Sequence, residues 1–123
     1  MVLWVCLLAL GRIMMGLAPI LGARPVAQLL GFPSAHDTPT TRLFARLFGV
    51  RDIGLGILVF WALQDVAMLR FVFLFNAAHD LADALVIGVP LVHKQGIDRA
   101  AYLSLACALG GLMCWLITWW LLA

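Results

Sequence analysis

The chain of 123 residues contains no glutamate, and charged residues of all kinds make up only 11% of it. A soluble domain carries about a quarter, so this scarcity excludes an ordinary water-facing surface. All six acids are aspartate, whose short, stiff carboxylates suit fixed positions and helix caps. The formal net charge is only +2 and the basic residues are scattered, which excludes a nucleic-acid surface. The three cysteines offer no disulfide. Cys107 and Cys114 share a helical face but stand about 10 Å apart, too far for a disulfide. Cys6 is alone in the first apolar run, and the three thiols read as packing. There is no Gly-rich phosphate loop and no serine nucleophile elbow.

What is present is apolar. Hydrophobic residues reach 65% and mean hydropathy is +1.08. The length accommodates four membrane spans with short connections. The expected fold class is all-α, a single four-helix transmembrane bundle with a short interfacial helix in its first loop. The helices are predicted at about 2–21, 39–63, 66–92 and 99–123.

The first run, from Val2 to Leu21, lacks the basic leader of a cleaved signal and reads as a retained helix. Arg12 interrupts it near mid-membrane, and Gly16 and Pro19 share its face, so a bend is expected towards the helix end. Pro25 opens a short helix through Leu30, closed by Gly31 and Pro33, that should lie in the interface. Ser34 to Thr38 reads as a polar loop. Thr38-Pro39 is an N-cap followed by a first helical position, and Arg42 and Arg46 near that start are expected to snorkel to headgroups.

Arg51-Asp52 lies too deep to snorkel. An ionisable group near the bilayer centre costs about 3 kcal/mol on insertion scales, so such groups normally face a protein interior. Adjacent on a helix, the two side chains project about 100° apart and are expected to reach different neighbouring helices. Ala45 and Gly49 make a small-xxx-small pair for close contact. Gln64-Asp65 predicts a tight hairpin with Asp65 capping the third helix. On that helix Asn76, Asp80 and Asp83 follow at i, i+4 and i+7, and His79 widens the polar stripe. Asp98 is the expected cap of the last helix, where Ala100, Ser104 and Ala108, and Ala106 with Gly110, suit close packing.

Arg24, Arg42, Lys94 and Arg99 flank the first and third loops, whereas only Arg70 flanks the second. The positive-inside rule puts loops 22–41 and 93–98 in the cytoplasm and both termini outside. Trp4, Trp61, Trp119 and Trp120 then map to the outer side as an aromatic belt. This threading brings Arg12, Arg51, Asp52, Asn76, His79, Asp80 and Asp83 to similar depth. Arg51 is expected to pair with Asp80 or Asp83, and the excess negative charge implies one bound proton. His79 and Asp83 have the spacing of a metal face, but His36 and His93 fall in loops and leave too few ligands. Neither a metal nor a cofactor is expected.

"LGRIMMGLAPILGARPVAQLLGFP" resembles the first helix and following loop of DoxX-like proteins, small four-helix membrane proteins. "TRLFARLFGVRDIGLGILVF" with "DLADALV" resembles an uncharacterised branch of that group, whose polar pattern Arg51, Asp52, Asp80 and Asp83 fit. The resemblance implies a four-helix bundle and an association with membrane redox or quinone-linked complexes. It supplies no catalytic role.

Three functional classes stay open beside a purely structural ionic bolt that fixes helix register. The first is a membrane accessory or small-molecule-binding protein, with a lipophilic molecule or quinone, a second copy or a membrane partner protein in contact with it. The second is an enzyme on a lipophilic substrate, with Asp80 or Asp83 as acid or base, Arg51 stabilising negative charge and Asn76 orienting substrate or water. Epoxide opening, isomerisation or cyclisation would suit it. The third is a proton-coupled carrier.

Overall fold

A computed structural model describes residues 1–96, 98 and 100–122. The chain is all-helical: α1 is Val2–Leu29, α2 Pro39–Ala62, α3 Val66–Val92 and α4 Ala101–Leu121, with a 3-10 turn at Ser34–His36. No strand occurs among the described residues. Consecutive helices pair into two hairpins, α1 with α2 and α3 with α4. They form two compact units, Met1–Gln64 and Asp65–Ala123.

In the first hairpin α1 runs past the expected end at Leu21, because the short helix after Pro25 continues it across a break. Gly22 has φ −156 and ψ 71, outside the helical region. Pro25 causes this, since its ring collides with the carbonyl four residues back and it has no N–H to donate there. The bend is therefore at Gly22, three residues beyond Pro19. Gly31, at φ 85, then closes the helix. Its N–H donates to Gln28 O and that of Phe32 to Ala27 O, each at 3.0 Å, the paired bonds of a Schellman end. The expected polar loop contains the 3-10 turn. Thr38 caps α2 as expected, in a reciprocal box with Thr41, which accepts the backbone N–H of Thr38 at 2.9 Å.

Small residues set the spacing of this hairpin. A Cβ added to Gly16 would strike the carbonyl oxygen of Gly49, and one added to Gly49 would strike that of Gly16. One on Gly56 would come within 2.8 Å of Ala9 O. Ala9 and Gly16, like Gly49 and Gly56, are two helical turns apart, so both contacts keep one antiparallel register. Val5, Ala9, Leu55 and Val59 are buried along the same seam. Trp4 and Trp61 stand together at its far end in this register, both exposed.

The second hairpin starts at Asp65, whose carboxylate accepts from Ala67 N at 2.8 Å and Met68 N at 3.2 Å. Its buried stripe on α3 is Leu69, Val72, Phe73, Asn76, Ala77, Asp80 and Ala84. Phe73 packs on Trp115 of α4, with ring centroids 5.7 Å apart. Arg70 lies over the Trp119 ring, 5.1 Å from its centroid, at the same end. At the other end of α3, Lys94 adopts φ 51, and Gln95 N donates to Pro90 O at 3.0 Å.

α4 departs from expectation in two ways. It opens at Ala101 after Ala100, with no side-chain cap; Asp98 contributes its backbone carbonyl to Ala101 N at 2.9 Å. The packed face also matches only one of the two expected stripes: Ala100, Ser104 and Ala108 are half-buried beside the buried Ala101, Trp115 and Thr118, while Ala106 and Gly110 are exposed. An all-apolar helix carries no polar mark to fix its phase. The proposed start at Arg99 and end at Ala123 lie outside the described residues. α1, α3 and α4 are long and apolar enough to cross a membrane. Any 18-residue stretch of α2 includes Arg46, Arg51 and Asp52, which sets it apart from the other three.

Candidate functional site

At the middle of the first hairpin, two guanidinium groups converge on one carboxylate oxygen. Arg12 Nη2 of α1 and Arg51 Nη2 of α2 each lie 3.4 Å from Asp52 Oδ1. The Arg12 side chain is only 8% exposed and that of Asp52 18%. The register explains how Arg12 reaches its partner: with Gly16 backed onto Gly49, residue 12 stands level with residue 53, next to Asp52. At 3.4 Å these two contacts are longer than charge-assisted hydrogen bonds of 2.7–2.9 Å, so charge more than hydrogen bonding joins Asp52 to each arginine. Asp52 reaches a neighbouring helix, as expected, at Arg12 of α1, and Arg51 lies beside it. Although adjacent, the side chains meet, because the long arginine stem lets the guanidinium swing back along the helix. That stem also places the Arg51 guanidinium over the Phe48 ring, 4.5 Å from its centroid.

The second hairpin carries the other expected residues along α3. Asn76 is fully buried and Asp80 is 6% exposed, while His79 and Asp83 are half-buried on the flank. Asn76 Nδ2 donates to Val72 O one turn back at 2.9 Å. Its Oδ1 is buried without a hydrogen-bond donor among the described residues. A buried carbonyl left unsatisfied costs about 1–3 kcal/mol, so this atom is a place where a donor would be stabilising. The carboxylate of Asp80 rests against α4 at Gly111, where a Cβ would come within 2.5 Å of Asp80 Oδ2. His79 Nδ1 lies 3.0 Å from Phe75 O, and its ring meets Phe75 edge-on at 4.5 Å.

Sequence reasoning missed Gly56, Gly111 and Thr118. The two-turn spacing shared by Ala9–Gly16 and Gly49–Gly56 was the available signal for the first. For Gly111 the sequence offers Gly110 equally, and only Gly111 meets a neighbour. Thr118 is buried, its hydroxyl donating to Cys114 O at 2.7 Å; an i−4 bond of this kind hides a polar side chain in an apolar helix. The three cysteines are free.

A family model described as a domain of unknown function, DUF4267, matches residues 9–122. The chain belongs to this family. The DUF4267 match takes in both hairpins, from the Arg12 cluster to the Trp119 end of α4. No curated protein and no solved structure matches the chain.

Proposed function

We propose that this DUF4267 protein is an integral membrane accessory protein that binds a lipophilic small molecule through the polar face of α3. The observation that carries the reading is the Asn76 carbonyl, buried and lacking a hydrogen-bond donor among the described residues. A ligand hydroxyl would supply that donor, with Asp80 and Asp83 as further acceptors along the same face. Hydroxyl-bearing lipophiles include the reduced form of quinones, in keeping with the resemblance to DoxX-like proteins. All four helices cross the bilayer in this reading. α2 is carried across by α1, because it follows α1 antiparallel from Ala9–Gly56 back to Arg24–Arg42. Loops 22–41 and 93–98 face the cytoplasm by their arginines and lysine, and both termini face outward.

Purified protein titrated with a quinol and with the matching quinone tests the binding. The quinol should raise Tm more than the quinone, and Asn76→Leu, similar in size, should remove the difference. Equal shifts for both redox forms, or an undiminished difference in Asn76→Leu, would refute the ligand reading. Reporters fused after Leu122 and within residues 93–96 should give opposite signals, with the latter cytoplasmic.

A further inference from the structure

The loop end of the first hairpin holds two arginines on one acid, with a third arginine one turn deeper. Arg42 grips Asp37 with both sides of its fork, Nε to Oδ1 at 2.6 Å and Nη2 to Oδ2 at 3.0 Å. Arg24 Nε reaches the same Oδ2 at 3.4 Å, and its side chain is 64% exposed. One turn deeper on α2, Arg46 is exposed and has no hydrogen-bond or ion-pair partner among the described residues. One carboxylate against three guanidinium groups leaves an excess of two positive charges. Directly beside them the apolar surface begins: Leu21, Leu43 and Leu47 are exposed next to Arg24, Arg42 and Arg46.

We infer that this end of the hairpin is a binding site for an acidic phospholipid. Arg24 and Arg46 would contact the headgroup phosphate, and the leucines would lie against its acyl chains. Arg42 is committed to Asp37 and holds the loop in place; Arg24 and Arg46 carry the excess charge. A soluble anion would gain nothing from the leucines, and a protein partner would have to compete with lipid for them. The combination of outward guanidinium groups with exposed leucines one to three residues away fits a lipid whose head is anionic and whose body is hydrocarbon.

Native mass spectrometry of the full chain, with phosphatidylglycerol or phosphatidylcholine added to the detergent, reads this directly. A juxtamembrane arginine near an anionic surface strengthens binding about fivefold, so the wild type should prefer phosphatidylglycerol by about 25-fold. The Arg24→Gln/Arg46→Gln variant should bind both lipids alike, with helicity checked by circular dichroism. Arg46→Gln alone touches no bonded group of the fold, and it should lose about fivefold. Arg70→Gln, at the other hairpin's Trp119 end, should keep the full preference. Retention of the preference in the double or single variant, its loss in Arg70→Gln, or competition by soluble glycerol phosphate would each overturn the inference.

Discussion

Gly16 of α1 and Gly49 of α2 lie back to back, each occupying the space that a Cβ on the other's neighbour-facing side would need. Their carbonyl oxygens are the obstructing atoms, and backbone cannot rotate away as a side chain can. This contact sets the level at which Arg12 meets Asp52. The seam and the ionic cluster are thus one device, in which close backbone approach brings two side chains of opposite charge into range.

Gly16→Ala should therefore cost about 2 kcal/mol, in the range for overpacking a tight contact. Its new methyl would also come within 2.9 Å of Ile53 N. Gly11→Ala, where a Cβ meets nothing within 4 Å, serves as the comparison and should be neutral or slightly stabilising. Unfolding of both variants in detergent measures the difference. Equal stabilities would mean that the seam is looser than described.

The Arg12–Asp52 pair should show coupling in a double-mutant cycle. Asp52→Leu removes the carboxylate that both arginines face and should cost about 3 kcal/mol, the scale for breaking a buried ion pair. Arg12→Leu leaves Arg51 at 3.4 Å from Asp52, so it should cost less. The Arg12→Leu/Asp52→Leu double variant should be more stable than the sum of the two losses predicts. Simple additivity would remove the pair from the account of the cluster.

Acid should loosen the loop between α1 and α2. The hydrogen bonds from Arg42 hold the Asp37 carboxyl below the usual carboxylate value, aided by the charges of Arg42 and Arg24 against the opposing effect of partial burial. A depressed carboxylate contributes its stability in full at neutral pH. That contribution is lost as pH falls below about 4 and through the depressed value. Protection from hydrogen exchange at Thr38 to Arg42, measured against the intrinsic rate at each pH, should therefore fall in that window in the parent but not in Asp37→Asn. An identical acid response in the variant would exclude Asp37 as the group responsible.

Much of the helical layout is legible because caps and breakers are local. Thr38-Pro39 and Asp65 announce α2 and α3 by satisfying backbone donors within three residues. The polar stripe of α3 is legible too, since polar residues on an apolar helix mark the protected face, and Asn76 and Asp80 are buried as that requires. Relations between helices are harder to read. Nothing local says that Gly49 opposes Gly16, because the register depends on both partners at once. A helical wheel also treats side chains as fixed spokes, so it gives no sign that the flexible stem of Arg51 brings its guanidinium to Asp52 on the same helix. Pro19 announces a bend, but the chain yields at Gly22, in the turn before Pro25, because a proline disrupts the helical turn that precedes it.

Gly110 and Gly111 should separate sharply on substitution, although they are neighbours in an apolar helix. Gly110→Ala meets nothing within 4 Å and should gain up to about 1 kcal/mol from the helix preference of alanine. Gly111→Ala would press a methyl on the Asp80 carboxylate. A side chain can give way more readily than backbone, so a loss of about 1 kcal/mol is expected, at the lower end for overpacking. Thermal unfolding in detergent checks the pair, and a reversed order would shift the packed face of α4 back towards Ala106 and Gly110.

Asp80 and Asp83 provide the sharpest division between scaffold and function. Asp80 is almost wholly buried against α4, whereas Asp83, three residues on, is half-buried at the flank. Asparagine preserves the shape and hydrogen-bonding capacity of either aspartate while removing its charge. At Asp83 that change relieves the cost of a carboxylate held away from water, so Asp83→Asn should be at least as stable as the parent. If the α3 face receives a ligand hydroxyl, the weaker amide acceptor should reduce the quinol-dependent rise in Tm while the unliganded fold is unchanged. An undiminished quinol response would confine Asp83 to the scaffold. Unfolding of Asp83→Asn in the absence of ligand would instead make its charge part of what holds the second hairpin together.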